Sequence, residues 1–134
     1  MSEAAISPWS WLETPPRHLT AYRRSGAWDD RTIVDLTRER AASDPDANVF
    51  PGLDKAHSYD SLLKDATALC AVIQDIGIRP GEVISFQTPN WVEAAVINLA
   101  AALGGFVINP IVIIYRDAEV RQMLADSRSR LMFV

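Results

Sequence analysis

Lysine is nearly missing from this chain: Lys55 and Lys64 are the only two in 134 residues, and the formal net charge is −4. Nucleic-acid surfaces rest on clustered Lys and Arg, so an acidic chain with scattered basic residues is not expected to bind nucleic acid. Cysteine is down to Cys70, which excludes an internal disulfide and the stapled scaffolds of small secreted domains. A reducing cytoplasm is the expected compartment. The two histidines, His18 and His57, lie far apart with no Cys or carboxylate at ligand spacing, so no metal site is expected. Glycines are few and dispersed, at 26, 52, 77, 81, 104 and 105. The single pair leads into an apolar run, whereas a phosphate-cradling loop usually opens a helix. Residues 1–16 carry Glu3, Glu13, Pro8, Pro15 and Pro16, which does not read as a secretory signal.

Charge is also absent from residues 94–115, close to the roughly 20 residues a bilayer-spanning helix needs. Asn98, the Gly104-Gly105 pair and Asn109-Pro110 interrupt that stretch, and each fits a buried helix, a turn and a strand better than one span. No membrane association is expected.

What is present is an alternation of short apolar runs and helical patterns. With 49% hydrophobic and 22% charged residues, the chain belongs to the ordinary globular class. At this length it could bury roughly two-thirds of the surface its unfolded form exposes. Residues 1–31, with Trp9, Trp11 and Trp28, read as an irregular N-terminal arm, and residues 32–134 as the domain proper. Thr32 offers an N-cap with Asp35 three positions on, and Ile33, Leu36 and Arg40 run into a short helix that ends before Asp44-Pro45. Residues 48–53 and 56–58 flank Asp54-Lys55 as a weak hairpin, bulged by Pro51 and Gly52.

From Asp60 to Ile76 the apolar positions Leu62, Ala66, Leu69, Ile73 and Ile76 advance by three or four and share one helix face. Ser58 can cap the start and Gly77 the end. After a turn at residues 79–82, residues 83–86 form a strand; Pro89 stops it, Asn90 with Glu93 suggests a capping box, and an alanine-rich helix follows over 91–103. Residues 106–109 form a second strand. Asp117 caps a last helix with Val120, Met123 and Leu124 facing inward, and residues 131–134 form a third strand. Strands alternating with helices imply a parallel sheet covered on both faces. The expected fold is therefore α/β, an incomplete parallel-sheet subdomain with flanking helices, its last strand still wanting neighbours.

Chemistry-bearing residues are sparse. Cys70 beside the apolar helix face reads as a buried, inert thiol. Ser85, Ser127 and Ser129 have no histidine at motif spacing to act as base. Charges alternate over residues 116–130 as on a solvated helix face. In open α/β sheets ligands sit at the carboxyl ends of strands, which places Asn90, Trp91, Tyr115 and Arg116 near a ligand edge, with capping and packing as the plainer role.

In order along the chain, these pieces resemble the beginning of an adenylate-forming (AMP-binding) acid-CoA ligase. The residues that carry the likeness are Ser58-Tyr59-Asp60-Ser61-Leu62, then Arg79-Pro80-Gly81-Glu82-Val83-Ile84-Ser85-Phe86-Gln87, then Pro89-Asn90-Trp91 with Glu93. Leu103-Gly104-Gly105-Phe106-Val107-Ile108-Asn109-Pro110 is similar to the family's second core motif, and Tyr115-Arg116-Asp117-Ala118-Glu119 follows it. Tyr22, Arg23, Gly26 and Trp28 resemble the lead-in of several such ligases, aryl-acid adenylating enzymes among them. Phe86-Gln87-x-Pro89-Asn90-Trp91 leans towards medium-chain or alicyclic acid-CoA ligases, and so towards fatty acid metabolism.

The resemblance implies a two-step reaction. A carboxylate attacks ATP to give an acyl adenylate and pyrophosphate, and the CoA thiol then displaces AMP. A full-length relative would use ATP, Mg and CoA on a small-molecule carboxylic acid. The family's phosphate loop, ribose-binding acid and catalytic lysine have no counterpart in these residues; Lys55 lies in an expected turn and Lys64 on a helix. No catalytic, cofactor-binding or metal residue is therefore assigned, and the chain, read as a truncated N-terminal portion, is expected inactive alone. Self-association or pairing with a missing C-terminal part is the expected partnership. Two rivals stand beside this reading: a stand-alone flavodoxin-like binding module, and a non-catalytic interaction fragment that pairs its open sheet edge with another chain.

Overall fold

The computed structural model describes residues 16–50 and 57–134. These fall into two compact units divided after Thr32, each taken by itself. The hairpin tip expected at Asp54-Lys55 and residues 1–15 of the expected arm lie outside the described residues.

In the first unit the expectation of an irregular arm is corrected, because Pro16–Ser25 form a helix, α1. Proline is well placed at a first helical position, where its missing N–H has no intrahelical acceptor to lose, and Arg23 and Arg24 in the last turn oppose the negative end of the helix dipole. The Ser25 hydroxyl donates to Tyr22 O at 3.0 Å. No apolar stripe announces this helix: among its described side chains only Leu19 is even half-buried.

The second unit holds α2 (Ile33–Ser43), α3 (Tyr59–Asp75), β1 (Val83–Phe86), α4 (Val92–Gly104), β2 (Val107–Pro110), α5 (Asp117–Ser127) and β3 (Leu131–Phe133). The expected order of elements is present. Between α2 and α3 the expected hairpin is reduced, among the described residues, to one antiparallel bridge, Asn48 to Ser58. Ser58 caps α3 as expected, its Oγ accepting the Ser61 N–H at 3.2 Å. Leu62, Ala66, Cys70 and Ile73 form the buried face of α3. Ile76 is a correction: it is the C-cap and stands 58% exposed. Gly77, at φ +89°, reverses the chain, and Ile78 folds back into the core in its place, with its N–H on Ile73 O at 3.3 Å.

All three strands are parallel in the order β2-β1-β3. Ile84 and Phe86 face the helices and pack with Leu62, Ile73, Ile97, Leu99 and Phe106, with Ile108, Leu131 and Phe133 partly buried against them. By strand alternation Val83 and Ser85 face the other side, where α5 lies. Right-handed crossovers require this, since β1 to β2 and β2 to β3 advance in opposite directions across the sheet and must place α4 and α5 on opposite faces. Val120, Met123 and Leu124 on α5 are half-buried, and no residue of that helix is fully buried. Their expected inward orientation is met only in part.

Two helix starts differ from expectation by one residue. The N-cap of α4 is Trp91, without a side-chain hydrogen bond, because its N–H is drawn to Pro89 O at 2.7 Å and the helix begins one position late. Glu93 then falls at the second helical position, too early to complete a box with Asn90. Arg116, not Asp117, precedes α5, and its N–H is accepted by Glu119 Oε2 at 3.1 Å, the carboxylate half of a capping box.

Gly104 closes α4 against the sheet. A Cβ there would stand inside the van der Waals surface of the Phe106 ring, which is itself buried. Gly105 follows in the left-handed region at φ 67°. Gly104→Ala is expected to destabilise the domain by about 2 kcal/mol through overpacking, read as a lower urea midpoint at unchanged m-value; an unchanged midpoint would show that Phe106 has room to yield.

Candidate functional site

Strand direction places one candidate crevice at the carboxyl ends of the sheet, between the loop that follows β1 (residues 87–91) and the loop that follows β2 (residues 111–116). The chain leaves β1 towards one face and β2 towards the other, so these loops diverge, which is the geometry that opens ligand crevices in parallel sheets. Asn90 and Trp91 on the first loop are exposed, Trp91 at 59%. On the second loop Tyr115 is half-buried, its N–H donating to Val112 O at 3.2 Å, and Arg116 is exposed. The four residues expected at a ligand edge thus lie on the two crevice loops, and their observed contacts are the capping and turn bonds.

Two residues that the sequence reading left without a role belong to the same place. The Gln87 backbone N–H donates to Phe133 O at 2.9 Å, and its side-chain Nε2 donates to Val112 O and Tyr115 O, each at 3.0 Å. Thr88 Oγ1 is enclosed and has no hydrogen-bond partner among the described residues. Neither could be found from periodicity, because the Gln87 partners lie 25 and 28 positions away.

Beneath the crevice, on the α5 face, runs a polar network. Ser85 is fully buried; its Oγ donates to Ser129 Oγ at 2.8 Å and accepts from Asn109 Nδ2 at 2.9 Å. Asn109 Nδ2 also donates to Ser127 Oγ at 3.2 Å. The three serines considered as nucleophiles are thus brought together, and their hydroxyls are engaged with one another and with backbone carbonyls, with Ser129 Oγ donating to Leu131 O at 2.9 Å.

Other candidates lie apart from this edge. His57 Nε2 is enclosed 3.4 Å from Asp65 Oδ2 without a hydrogen bond. Lys64 pairs with Asp60 one turn away on α3 at 2.8 Å, and that carboxylate raises its pKa. Cys70 is buried, and desolvation pushes its thiol pKa up, so it holds its proton and is a poor nucleophile. Lys55 lies outside the described residues. A groove of about 570 Å³ between α2, α3 and α4 has its polar wall groups turned inward, Thr37 Oγ1 to Ile33 O and Asn98 Nδ2 to Ala94 O, both at 2.7 Å, which leaves apolar walls.

The crevice loops offer a phosphate one cation, the exposed Arg116, and a magnesium ion the Asp117 and Glu119 carboxylates in the first turn of α5, a partial set for either group. The Gln87 amide is engaged with two carbonyls, and the negative charge of Asp117 and Glu119 disfavours an anion directly on the α5 N-terminus. Among the described residues no three His, Cys, Asp or Glu side chains are grouped to hold a metal ion. No helix among them is long and apolar enough to cross a membrane.

An open parallel sheet with flanking helices defines an α/β domain of the kind whose ligands sit at the strand ends. Residues 37–134 match the family of the AMP-binding enzyme, and the chain belongs to that family. It is 32% identical over 114 residues to the medium-chain fatty-acid–CoA ligase of Escherichia coli K12, covering 84% of this chain and 20% of that protein. A 27% identical match to the vibriobactin-specific 2,3-dihydroxybenzoate-AMP ligase of Vibrio cholerae covers 96% of this chain and 23% of that one. Among solved structures, Mycobacterium smegmatis MbtA superposes with a TM-score of 0.78 at 29% identity, over 89% of this chain and 23% of that one. The N-terminal subdomain of Klebsiella oxytoca NpsA shares the fold, with a TM-score of 0.69 at 20% identity over 76% of this chain and 27% of that one. The chain spans about a fifth of the length of each of these two ligases.

Thr88 lends itself to a direct test. Its enclosed hydroxyl costs desolvation without return, and valine keeps the β-branched, extended backbone favoured before proline. Thr88→Val is expected to raise stability by about 1 kcal/mol, seen as a higher midpoint in thermal unfolding; a loss of stability would show that the hydroxyl has a partner.

Proposed function

We propose that this chain is the N-terminal part of an ATP-dependent acid-CoA ligase, with residues 32–134 as the start of the AMP-binding domain and residues 1–31 as an arm before it. The observation that carries the reading is the 32% identity to the medium-chain fatty-acid–CoA ligase over 114 residues. A second match at 32% identity, to the sulfoacetate–CoA ligase of Cupriavidus necator, supports CoA as the acceptor. In this reading a small carboxylic acid is activated as its adenylate with ATP and magnesium and then passed to the CoA thiol, in the cytoplasm. The chain's own contribution is the sheet end that walls the site; the groups that hold phosphates and move charge come from other segments. Pairing with those segments is the expected partnership.

Coverage of the first 32 residues favours a second acid class. The match to the 2,3-dihydroxybenzoate-AMP ligase takes in nearly all of the chain, which supports an aromatic acid as substrate.

ATP–pyrophosphate exchange separates these readings. The 134-residue chain is expected to show no carboxylate-dependent exchange, because the family's phosphate loop and catalytic lysine have no counterpart in it; exchange by this chain alone would overturn the fragment reading. The reading frame beyond Val134 is expected to encode a Thr/Ser-Ser-Gly-rich segment followed by Pro-Lys-Gly. Protein from that longer frame should exchange with medium-chain fatty acids in preference to hydroxybenzoates, and the reverse preference would select the aromatic-acid reading.

A further inference from the structure

The carboxyl ends of all three strands meet at one residue. Gln87 continues β1, its backbone N–H holds Phe133 O at the end of β3, and its side-chain nitrogen holds Val112 O and Tyr115 O in the loop that follows β2. Those two carbonyls open and close a four-residue turn, sealed by the Tyr115 N–H on Val112 O at 3.2 Å.

That turn is chemically unusual. Turn positions favour Gly, Pro, Asn, Asp and Ser, which reverse the chain by their own backbone freedom or local hydrogen bonds. Here Val112, Ile113 and Ile114 are all β-branched, a type that favours extended backbone, and they stand 56%, 48% and 71% exposed. Neither propensity nor burial of these three residues holds the turn, which leaves its one internal hydrogen bond and whatever grips it from outside. A primary amide has the two N–H groups needed to bind two carbonyls from one nitrogen. A hydroxyl offers one and a carboxylate none.

We propose that Gln87 is the positioning residue of the crevice: it fixes the turn at residues 112–115 to the end of the central strand and so holds Ile113 and Ile114 outward as an apolar rim. Describing that rim as part of a ligand site rests on the function proposed above; the clamp itself does not.

The test uses the 134-residue chain, with residue-level amide exchange by NMR for the wild type, Gln87→Met and Gln87→Glu. Methionine keeps the length and loses the donors, and protection of the Tyr115 amide is expected to fall on the order of tenfold at every pH, the effect of losing two hydrogen bonds locally. Glutamate as a carboxylate faces two carbonyls without a donor, so protection is expected to be lost at pH 7. It should be partly regained near pH 4, where a carboxyl with an ordinary value of about 4.3, raised by facing carbonyl oxygens, carries its proton. The charged groups on the adjoining elements are Glu93 on α4, Arg116 beside the turn, and Asp117 and Glu119 on α5, and the wild type run in parallel carries their contribution. Should Gln87→Met fail to fold, the two pH values within Gln87→Glu decide alone. Unchanged Tyr115 protection, a Gln87→Glu loss indifferent to pH, or a loss shared equally by core amides such as Ile84 and Ile97 would overturn the proposal. Absence of ligase activity in the longer protein would remove the proposed function and leave this pattern intact, so the two fail separately.

Discussion

Every other feature of the domain depends on β1 being paired on both sides and covered on both faces. All four of its residues are buried, and its registers to β2 and β3 run side by side, Ile84 opposite Ile108 and Leu131, Phe86 opposite Pro110 and Phe133. Parallel strands cannot be joined by a tight turn, so each pairing demands a helix-bearing crossover. The single hand those crossovers obey then sends α4 and α5 to opposite faces. From one buried strand follow the two layers, the divergent loops and the crevice between them.

The two faces of β1 are held by different forces. On the α3 and α4 side the contacts are aliphatic and aromatic, a continuous buried cluster that is non-directional and tolerant of small shifts. On the α5 side the fully buried Ser85 requires partners, since an unpaired hydroxyl there would cost on the order of 1–3 kcal/mol. It finds them in Asn109 on β2 and Ser129 after α5. A one-residue slip of β2 would turn Asn109 to the other face and put Ile108 or Pro110 opposite Ser85. The apolar face thus supplies most of the cohesion and the polar face selects the register. It also explains why α5 stays attached without a fully buried side chain.

Much of this was legible from residue order. The four-residue apolar runs, the three-and-four spacing of Leu62, Ala66 and Ile73, and the Ser58 and glycine boundaries are local signals that packing did not override, so α/β class and element order follow from them. Likeness to AMP-binding enzymes rested on the same short motifs in sequence order, and the family match over residues 37–134 agrees with it. Helix α1 escaped because exposed residues leave no apolar period to read. Both cap assignments slipped by one, at α4 where the Pro89 carbonyl draws the Trp91 N–H and at α5 where the Glu119 carboxylate reaches back to the Arg116 N–H. At the crevice, Asn90, Trp91, Tyr115 and Arg116 could be placed because strand direction alone puts them there. Gln87 could not, since its role is a contact between distant segments.

The edges of the sheet extend the same reasoning. On β2 the N–H groups of Val107 and Ile111 turn inward to Glu82 O and Phe86 O, so by parity Ile108 and Pro110 present outward, and Pro110 has no N–H to offer. Proline at that position blunts the edge as a template for another strand. It also directs the chain out of the sheet just before residues 112–115, where an N–H ladder no longer constrains the backbone. The residue that ends β2 as a pairing strand therefore also creates the need for an external hold on the loop behind it. In the folded domain that hold comes from the residue that follows the neighbouring strand, through the Gln87 amide, and adds to the loop's own Tyr115-to-Val112 bond.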